Sequence, residues 1–432
     1  MKSVKLIFVF SLFMLLKGLQ AQSLTPEQAL QKALSNNLLL AGAEGVNNIA
    51  KLSNTKGRAG LLPQLSLAGG WNSGSQNANL TFNNGTEISR KGAGASATNG
   101  GLQLNQNVFN GFKSQANKNR LDFEASSASY ALQMQRLLLT EQVLNTYYTL
   151  VNEQHWLRQV LQLDSFYMLK LKQSNLLFQN GKLSESDVLQ SEADLSMQQV
   201  RSSMRKTAVI EAMSRLNALM AEPPNAGIET TVSEIPLDMA LPDTGEAALL
   251  RSNATLQQLK ADWEAMKQNE KAAIASLYPS LSLQLNGTAL NSRSDVGLLL
   301  RNQTTSSSMA VNLNYPLFNG GVIRKDISIA KFRTTLSGLA YKQALLEAKT
   351  NLYIAIANWK SALEQVRLQQ EAIQRYQRML AIAEAAFKLG KFNRVEVAQT
   401  QTQYETALAG LMETRLRAIQ QYHALKRLLA TD

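Results

Sequence analysis

Apolar residues recur with helical spacing over most of this chain. Thr25 is a helix-capping residue, Pro26 occupies the first helical position and Gln28 completes a capping box, so a helix should begin there. We expect this helix to continue unbroken to about Leu61, because the next proline is Pro63. Further helices are predicted in the proline-free segments 112–180, 184–220, 321–389 and 394–430.

The two longest segments should each form a helix about 100 Å long, at 1.5 Å per residue. Apolar residues in both follow the 4-3-4-3 spacing that favours near-parallel helix packing. These positions are Val143, Tyr147, Leu150, Gln154 and Leu157 in the first segment, and Leu352, Ile356, Trp359, Leu363 and Val366 in the second. A compact globule of this size cannot bury such long helices, so the spacing indicates a bundle or a tube.

After Pro63, and again after Pro279, the helical spacing of apolar residues gives way to a strict alternation of apolar and polar residues. The apolar positions are Leu65, Leu67, Trp71, Leu102 and Leu104 in the first stretch, and Leu281, Leu283, Leu285, Met309, Val311, Leu313 and Tyr315 in the second. Strands of about ten residues with one apolar and one polar face are typical of transmembrane β-barrels, although soluble hairpins show the same alternation. The polar segments 83–86 and 294–308 predict loops between the strands.

The chain is duplicated. Residues 108–111 recur at 317–320 and residues 178–183 recur at 387–392, both 209 positions later, while residues 61–67 recur at 277–283. Copies of about 200 residues are too long for a solenoid repeat and indicate a duplicated half-domain.

This duplication divides the chain into segments. We expect a signal peptide at 1–21, a first repeat at 22–220 with a β-hairpin at 64–109, a proline-rich linker at 221–244, and a second repeat at 245–432 with a β-hairpin at 280–318.

The first residues resemble a secretory signal. Lys2 and Lys5 precede the apolar run 6–16, and Ala21 is a small residue at the expected cleavage site. The formal charge of +12 becomes +9 without Lys2, Lys5 and Lys17. Export and the scattered distribution of the remaining basic residues argue against nucleic-acid binding.

Sequence motifs for catalysis are missing. His155 and His423 are the only histidines, and neither has a second nitrogen or thiol ligand at metal spacing. The segment 181–184 hints at a P-loop, but Leu176 occupies the upstream glycine position. We therefore expect no enzyme activity, metal or cofactor.

Four strands cannot close a barrel in lipid, because open edges are not tolerated there and the smallest single-chain barrels have eight strands. The strands should therefore come from several chains. The order helix–hairpin–long helix–helix in each half, with L-P-x-L-x-L at 62–67, F-N-G-G at 318–321 and G-x-x-x-x-x-[DE]-V at 181–188 and 390–397, resembles the TolC-like outer membrane efflux proteins.

This resemblance implies a mixed α and transmembrane β fold. A homotrimer would share one twelve-stranded barrel in outer membrane lipid, continued by a long α-helical coiled-coil tunnel in the periplasm. The linker 221–244 would form the family's equatorial collar. A proline commonly follows the asparagine at the position of Asn37, and its replacement by Leu38 should change only a helix kink.

The resemblance also implies functional positions at the far end of the helices. A periplasmic adaptor, which connects the duct to an inner membrane pump, would dock at two turns formed by Gly181, Lys182, Leu183, Ser184, Gly390, Lys391 and Asn393. The candidates for the periplasmic gate are Asp187, Arg394, Glu396, Gln399, Phe387 and Phe392.

Two carboxylates are central to this hypothesis. Asp187 and Glu396 match carboxylates linked to the closed gate, and Arg394 is a candidate partner for Asp187. Gln399 stands where the family often has a second aspartate ring, so Phe387 and Phe392 could form an apolar constriction instead. A carboxylate in a first helical turn also complements the helix dipole in any protein, and this structural role is an equal alternative.

The leading prediction is a passive trimeric exit duct for drugs or other small molecules. The alternatives are a type I protein secretion duct, a non-transport coiled-coil surface protein and a periplasmic enzyme.

Overall fold

The computed structural model describes residues 22–232, 235–236, 245–296, 299–389, 391–392 and 394–430. The expected signal peptide and part of the linker lie outside these ranges. Contacts within the chain divide it into two units: unit 1 holds 1–45, 130–257 and 344–432, and unit 2 holds 46–129 and 258–343.

The element order is the same in both copies. The elements are β1 (Gln22–Leu24), α1 (Pro26–Asn36), α2 (Leu38–Ser53), β2 (Gln64–Thr81), β3 (Glu87–Phe109), α3 (Lys113–Gln179), α4 (Glu185–Leu219), β4 (Ile228–Thr230), α5 (Glu246–Ser252), α6 (Ala254–Ile274), β5 (Ser280–Ser294), β6 (Arg301–Asn314), α7 (Val322–Lys388) and α8 (Arg394–Leu429). The long helices α3 and α7 have 67 residues each. Within the described ranges, no helix has the length and apolar character needed to cross a membrane.

A buried asparagine breaks the first helix, so the expectation of one helix from Thr25 to Leu61 is wrong. Asn37 has extended backbone between α1 and α2. Its side-chain oxygen accepts hydrogen bonds from the backbone N–H groups of Leu39 (3.0 Å) and Leu40 (3.1 Å), and its side-chain nitrogen donates to the carbonyl of Leu219 (3.0 Å). The side chain therefore caps α2 and ties it to the end of α4, and no proline is required.

The helix α2 also ends at Ser53, well before Pro63. The interval is a turn in which the N–H of Leu61 donates to the carbonyl of Lys56 at 2.9 Å. Gly60 takes a φ of +80° there, a conformation that glycine adopts without strain.

The second copy has the same break. Asn253 separates α5 from α6, accepts from the N–H of Leu256 at 3.0 Å and donates to the carbonyl of Leu428 at 2.8 Å. Leu428 lies 209 positions after Leu219, so the duplication extends to this tertiary contact.

The strands of unit 2 form one antiparallel sheet in the order β2-β3-β5-β6. They have 18, 23, 15 and 14 residues, more than the roughly ten expected for a barrel strand. The strands β3 and β5 join the hairpins of the two copies at the centre of the sheet, which leaves β2 and β6 at its edges.

The loop predicted at 83–86 is confirmed, whereas the loop predicted at 294–308 is too long, because β5 ends at Ser294 and β6 begins at Arg301. Phe82 and Thr86 close the first loop by a hydrogen bond of 2.9 Å. Residues 301–308 belong to β6 and pair with β5. Their side chains are polar on both faces, so no alternation revealed a strand that is held by backbone pairing and by contacts such as Thr288 to Ser306 (2.7 Å).

The main core of unit 1 surrounds the middle of α3. Val143, Tyr147 and Leu150 are fully buried, and the hydroxyl of Tyr147 donates to the carbonyl of Leu24 at 2.7 Å. They pack with apolar residues of the neighbouring helices, namely Ala29, Ala33, Leu40, Ala212, Leu216, Met220 and Ile419. In the second copy Leu352, Trp359 and Val366 are buried, while Ile356 and Leu363 are half-buried.

The linker contributes β4, which pairs in parallel with β1. Gln154 of α3 holds this strand: its nitrogen donates to the carbonyl of Ile228 at 2.9 Å, and its oxygen accepts from the hydroxyl of Thr230 at 2.6 Å. This contact explains why a glutamine occupies a position in the apolar seam.

Candidate functional site

The first candidate turn connects α3 to α4 in unit 1. Gly181 has a φ of +69°, and the N–H of Lys182 donates to the carbonyl of Leu177 at 2.8 Å. This six-residue ring is the Schellman arrangement that satisfies the last carbonyls of a helix, and it needs a left-handed residue at the glycine. Lys182 is exposed and Leu183 is half-buried.

The second candidate turn connects α7 to α8 with the same hydrogen bond. The N–H of Lys391 donates to the carbonyl of Ala386 at 2.9 Å, and both residues lie 209 positions after their counterparts. Lys391 is exposed. The other predicted docking residues here, Gly390 and Asn393, lie outside the described residues.

Asp187 caps the helix that leaves the first turn. Its carboxylate accepts from the backbone N–H (3.0 Å) and the hydroxyl (2.7 Å) of Ser184, whose hydroxyl accepts from the N–H of Asp187 (3.3 Å). This reciprocal capping box ties the carboxylate to the start of α4. The suggested pairing of Asp187 with Arg394 stays a prediction, since the side chain of Arg394 is outside the described part.

The remaining gate candidates are accessible within one chain. Glu396 is in the first turn of α8, and Gln399 follows on the same helix; both are exposed. Phe387 and Phe392 are 43% and 39% exposed. All four side chains are thus exposed in the single chain, and their role in a gate remains a proposal.

Polar contacts cross from α3 to α4 next to the first turn. The buried hydroxyls of Ser174 and Ser191 share a hydrogen bond of 2.9 Å. One helical turn further, Lys170 donates to Asp194 at 2.7 Å and Gln190 donates to the same carboxylate at 2.8 Å. Burial acts to raise the pKa of Asp194, but these two hydrogen bonds outweigh burial and lower it. The helix pair is therefore fixed close to its tip.

A larger polar cluster joins α3, α4 and α8. Arg205 pairs with Glu153 at 3.0 Å and lies over the ring of Trp156, 5.0 Å from its centroid. Arg201 lies 3.9 Å from Glu405. Burial raises the pKa of Glu405 despite this arginine, so Glu405 ionises less readily than a glutamate in water.

The end of α8 is held to α3 by a buried histidine. Nδ1 of His423 shares a hydrogen bond of 2.7 Å with the side-chain oxygen of Asn145. Burial, assisted by the charge of Lys426, lowers the pKa of His423 to about 4. One turn on, Arg427 pairs with Glu141.

These elements match a known family. The family described as outer membrane efflux protein matches residues 29–222 and 247–431, which together cover most of the chain. The chain belongs to the outer membrane efflux protein family. The two matched segments fall on the two copies seen in the structure, and the family places the protein in the outer membrane.

Curated relatives of this outer membrane efflux protein are similar over part of their length. The multidrug resistance outer membrane protein MdtQ of Escherichia coli O6:H1 is 28% identical over 218 residues, which are 50% of this chain and 44% of MdtQ. The pyoverdine export outer membrane protein OpmQ of Pseudomonas aeruginosa is 23% identical over 404 residues, which are 91% of this chain and 82% of OpmQ. The chain thus spans about half the length of MdtQ.

Solved structures show the same fold. The outer membrane protein VceC of Vibrio cholerae has a TM-score of 0.79 and 17% identity, and the match covers 94% of this chain and 96% of VceC. The CmeC outer membrane channel of Campylobacter jejuni has a TM-score of 0.80 and 17% identity, with 94% and 85% covered. The resemblance drawn from the sequence motifs is therefore confirmed.

Sequence reasoning missed the residues that join one helix to another. The capping asparagines Asn37 and Asn253 could have been found, because they match at an offset of 216, as do residues 61–67 and 277–283. The ion pairs of Arg205 and Arg427 carry no such signal, because their acceptors lie far away in the sequence.

Proposed function

We propose that three copies of this outer membrane efflux protein form the exit duct of a tripartite efflux system. The observation that carries this proposal is the open sheet of unit 2, whose edge strands are β2 and β6. In lipid, each unsatisfied backbone group costs several kcal/mol, so these edges require partner strands. Three copies of a four-stranded sheet supply the twelve strands that the family resemblance implies.

Exposed helix faces in unit 2 support self-association. On α2, Val46, Ile49 and Leu52 are 62%, 65% and 78% exposed. On α7, an apolar stripe with 3-4-3 spacing is also exposed, formed by Ile329 (48%), Phe332 (71%), Leu336 (64%) and Leu339 (56%). Apolar stripes of this kind mark interfaces, and further copies of this chain are the partners that also pair the strand edges.

The two helical turns are the proposed docking and gating end. Lys182 and Lys391 stand at exposed positions on equivalent turns, where a periplasmic adaptor can contact both copies. The adaptor would connect the duct to an inner membrane pump that supplies the energy. Closure would rely on Asp187, Arg394 and Glu396, with Phe387 and Phe392 as an apolar constriction.

Small molecules are the favoured class of cargo. Relatives are named for multidrug resistance, toluene efflux and pyoverdine export. A type I protein secretion duct is the alternative within the same architecture. The family and its relatives are channel proteins, and we infer that this chain has no catalytic role.

Complementation with electrophysiology tests this proposal. Deleting the gene should sensitise cells to pump substrates, and the purified protein should form channels in planar bilayers. Leu336→Glu places a charge in the α7 stripe and should abolish both trimer assembly and complementation. Thr335→Glu, at the neighbouring exposed position, is the matched control and should leave both intact. Channels and resistance that persist in a monomeric Leu336→Glu protein would contradict the trimeric duct.

A further inference from the structure

Two arginines face each other at the loop end of the β5–β6 hairpin. Arg293 and Arg301 are direct partners in the register of the two strands. Like charges placed directly opposite each other destabilise a strand pair. Among the described residues, neither guanidinium forms an ion pair within 4.0 Å. The pairing therefore favours binding of an anion that neutralises both guanidinium groups.

Both arginines lie on the apolar face of the sheet. Cross-strand partners share a face, and every second pair along the ladder returns to it. The pairs on the face of Arg293 and Arg301 include Leu285 with Met309, Leu283 with Val311 and Leu281 with Leu313. In a membrane barrel the face that carries such a band is directed towards lipid.

The position along the strand corresponds to the lipid headgroups. Leu281 and Arg293 are separated by twelve residues. At about 3.4 Å per residue and a tilt of about 40°, this separation is about 31 Å along the barrel axis, whereas the apolar band of such barrels is about 25 Å tall. The intervening pairs on this face are uncharged: Gly287 with Ser307, Ala289 with Thr305, and Asn291 with Gln303.

One arginine is already oriented. Nε of Arg301 donates to the side-chain oxygen of Asn291 at 3.3 Å, which directs the guanidinium along the outward face. The terminal nitrogens of a guanidinium match the oxygens of a phosphate in a bidentate manner, and two adjacent arginines provide two such forks.

We propose that Arg293 and Arg301 bind a phosphate group of the phosphorylated glycolipid in the outer leaflet of the outer membrane. This inference rests on the proposed function, because it requires the loop end of the hairpin to face the cell exterior. The bound phosphate neutralises the two like charges and anchors the barrel rim to its lipid.

The test uses the purified full-length protein, freed of lipid in detergent, with binding of bisphosphorylated lipid A measured by native mass spectrometry. Arg293→Ala and Arg301→Ala should each weaken binding roughly tenfold, as expected for loss of one charge-assisted contact. The control is the double variant Arg215→Ala, Arg375→Ala, which removes two positive charges, one more than either test variant, from helical side chains that are 77% and 78% exposed. It should bind lipid A like the wild type.

Competing ligands identify the source of the phosphate. Lipid A without phosphates and phosphatidylglycerol should compete poorly. Inorganic pyrophosphate should also fail, because it lacks acyl chains to bury against the apolar face. Competition by pyrophosphate at the concentrations that suffice for lipid A would overturn the glycolipid assignment.

A charge reversal separates binding from a structural role. Arg293→Glu creates an opposite-charge pair with Arg301, so the hairpin should be at least as stable, while lipid A binding should be lost. If a carboxylate of a neighbouring copy held the arginines instead, this variant would weaken the trimer and the alanine variants would still bind lipid A. Either outcome overturns the proposal.

A labelling arm tests the orientation separately. A cysteine at exposed Asn302 should react with an impermeant maleimide in intact cells. Failure to label would overturn the orientation in the proposed function, whereas labelling without lipid A binding would overturn the glycolipid site alone.

Discussion

Replacing Asn37 by alanine should destabilise unit 1 measurably. The side chain is 9% exposed, caps α2 through two backbone N–H groups and donates to the carbonyl of Leu219 at 3.0 Å. Loss of a cap costs about 1 kcal/mol, and a carbonyl left without its partner costs a further 1–2 kcal/mol or so. We therefore expect Asn37→Ala to lower the free energy of unfolding by about 2–3 kcal/mol.

Urea unfolding followed by circular dichroism, at fixed protein and detergent concentrations, measures this change. Asn36→Ala is the matched control, because Asn36 is adjacent, exposed and the last residue of α1. Asn37→Ser should retain part of the cap and give an intermediate loss. Equal midpoints for Asn37→Ala and Asn36→Ala would refute the assignment of Asn37 as a tertiary cap.

Three further predictions concern pH, gating and topology. Because the pKa of His423 is about 4 in the folded protein and about 6.5 when unfolded, the unfolded state binds the proton first as pH falls. Stability should therefore drop by up to about 3 kcal/mol between pH 6.5 and 4. His423→Gln should flatten this dependence in urea midpoints recorded at each pH, and an unchanged slope would contradict it. In the proposed gate, the pair of Asp187 and Arg394 helps to hold the tunnel closed, and the double variant Asp187→Ala, Arg394→Ala should therefore raise single-channel conductance and admit large antibiotics such as vancomycin. An exposed pair contributes at most about 1 kcal/mol per chain, which adaptor binding can overcome. Wild-type conductance would leave the phenylalanines as gate candidates. Cysteines at Asn84 and Lys182 should label oppositely with an impermeant maleimide in intact cells, only the former being accessible; the reverse pattern would invert the topology.

Local sequence signals were sufficient for the helical turns. Gly181 followed by Ser184 and Asp187 contains a left-handed residue, a cap and its reciprocal acceptor within seven positions, so the turn could be predicted without tertiary information. The sheet was predictable where one face is apolar, as at Leu281 and Leu283. There, the alternation of apolar and polar residues indicates which face is buried or contacts lipid.

Features that depend on distant residues could not be predicted in this way. The matching offset marks Asn37 and Asn253 as equivalent positions, but the hydrogen bond from Asn37 to the carbonyl of Leu219 has no signal in the neighbouring residues. The polar half of β6 was assigned to a loop because Thr304 and Ser306 have the composition of a loop, while the backbone of β5 makes them a strand. In the proposed trimer, the side-chain geometry of the gate would depend on neighbouring chains in addition to the sequence of one.

The shared barrel is the central claim, and cross-linking between its edge strands tests it most directly. The chain contains no cysteine, so only the introduced thiols can form disulfides. A single cysteine at Ser73 on β2 is combined in turn with one at Gln303, Thr305 or Ser307 on β6, and the protein is oxidised in native outer membranes. Because edge strands of adjacent copies would bring a matched pair within disulfide reach, we predict a ladder on denaturing gels that ends at three chains for at least one combination. Monomer alone at every combination, or a ladder that continues beyond three chains, would contradict the account.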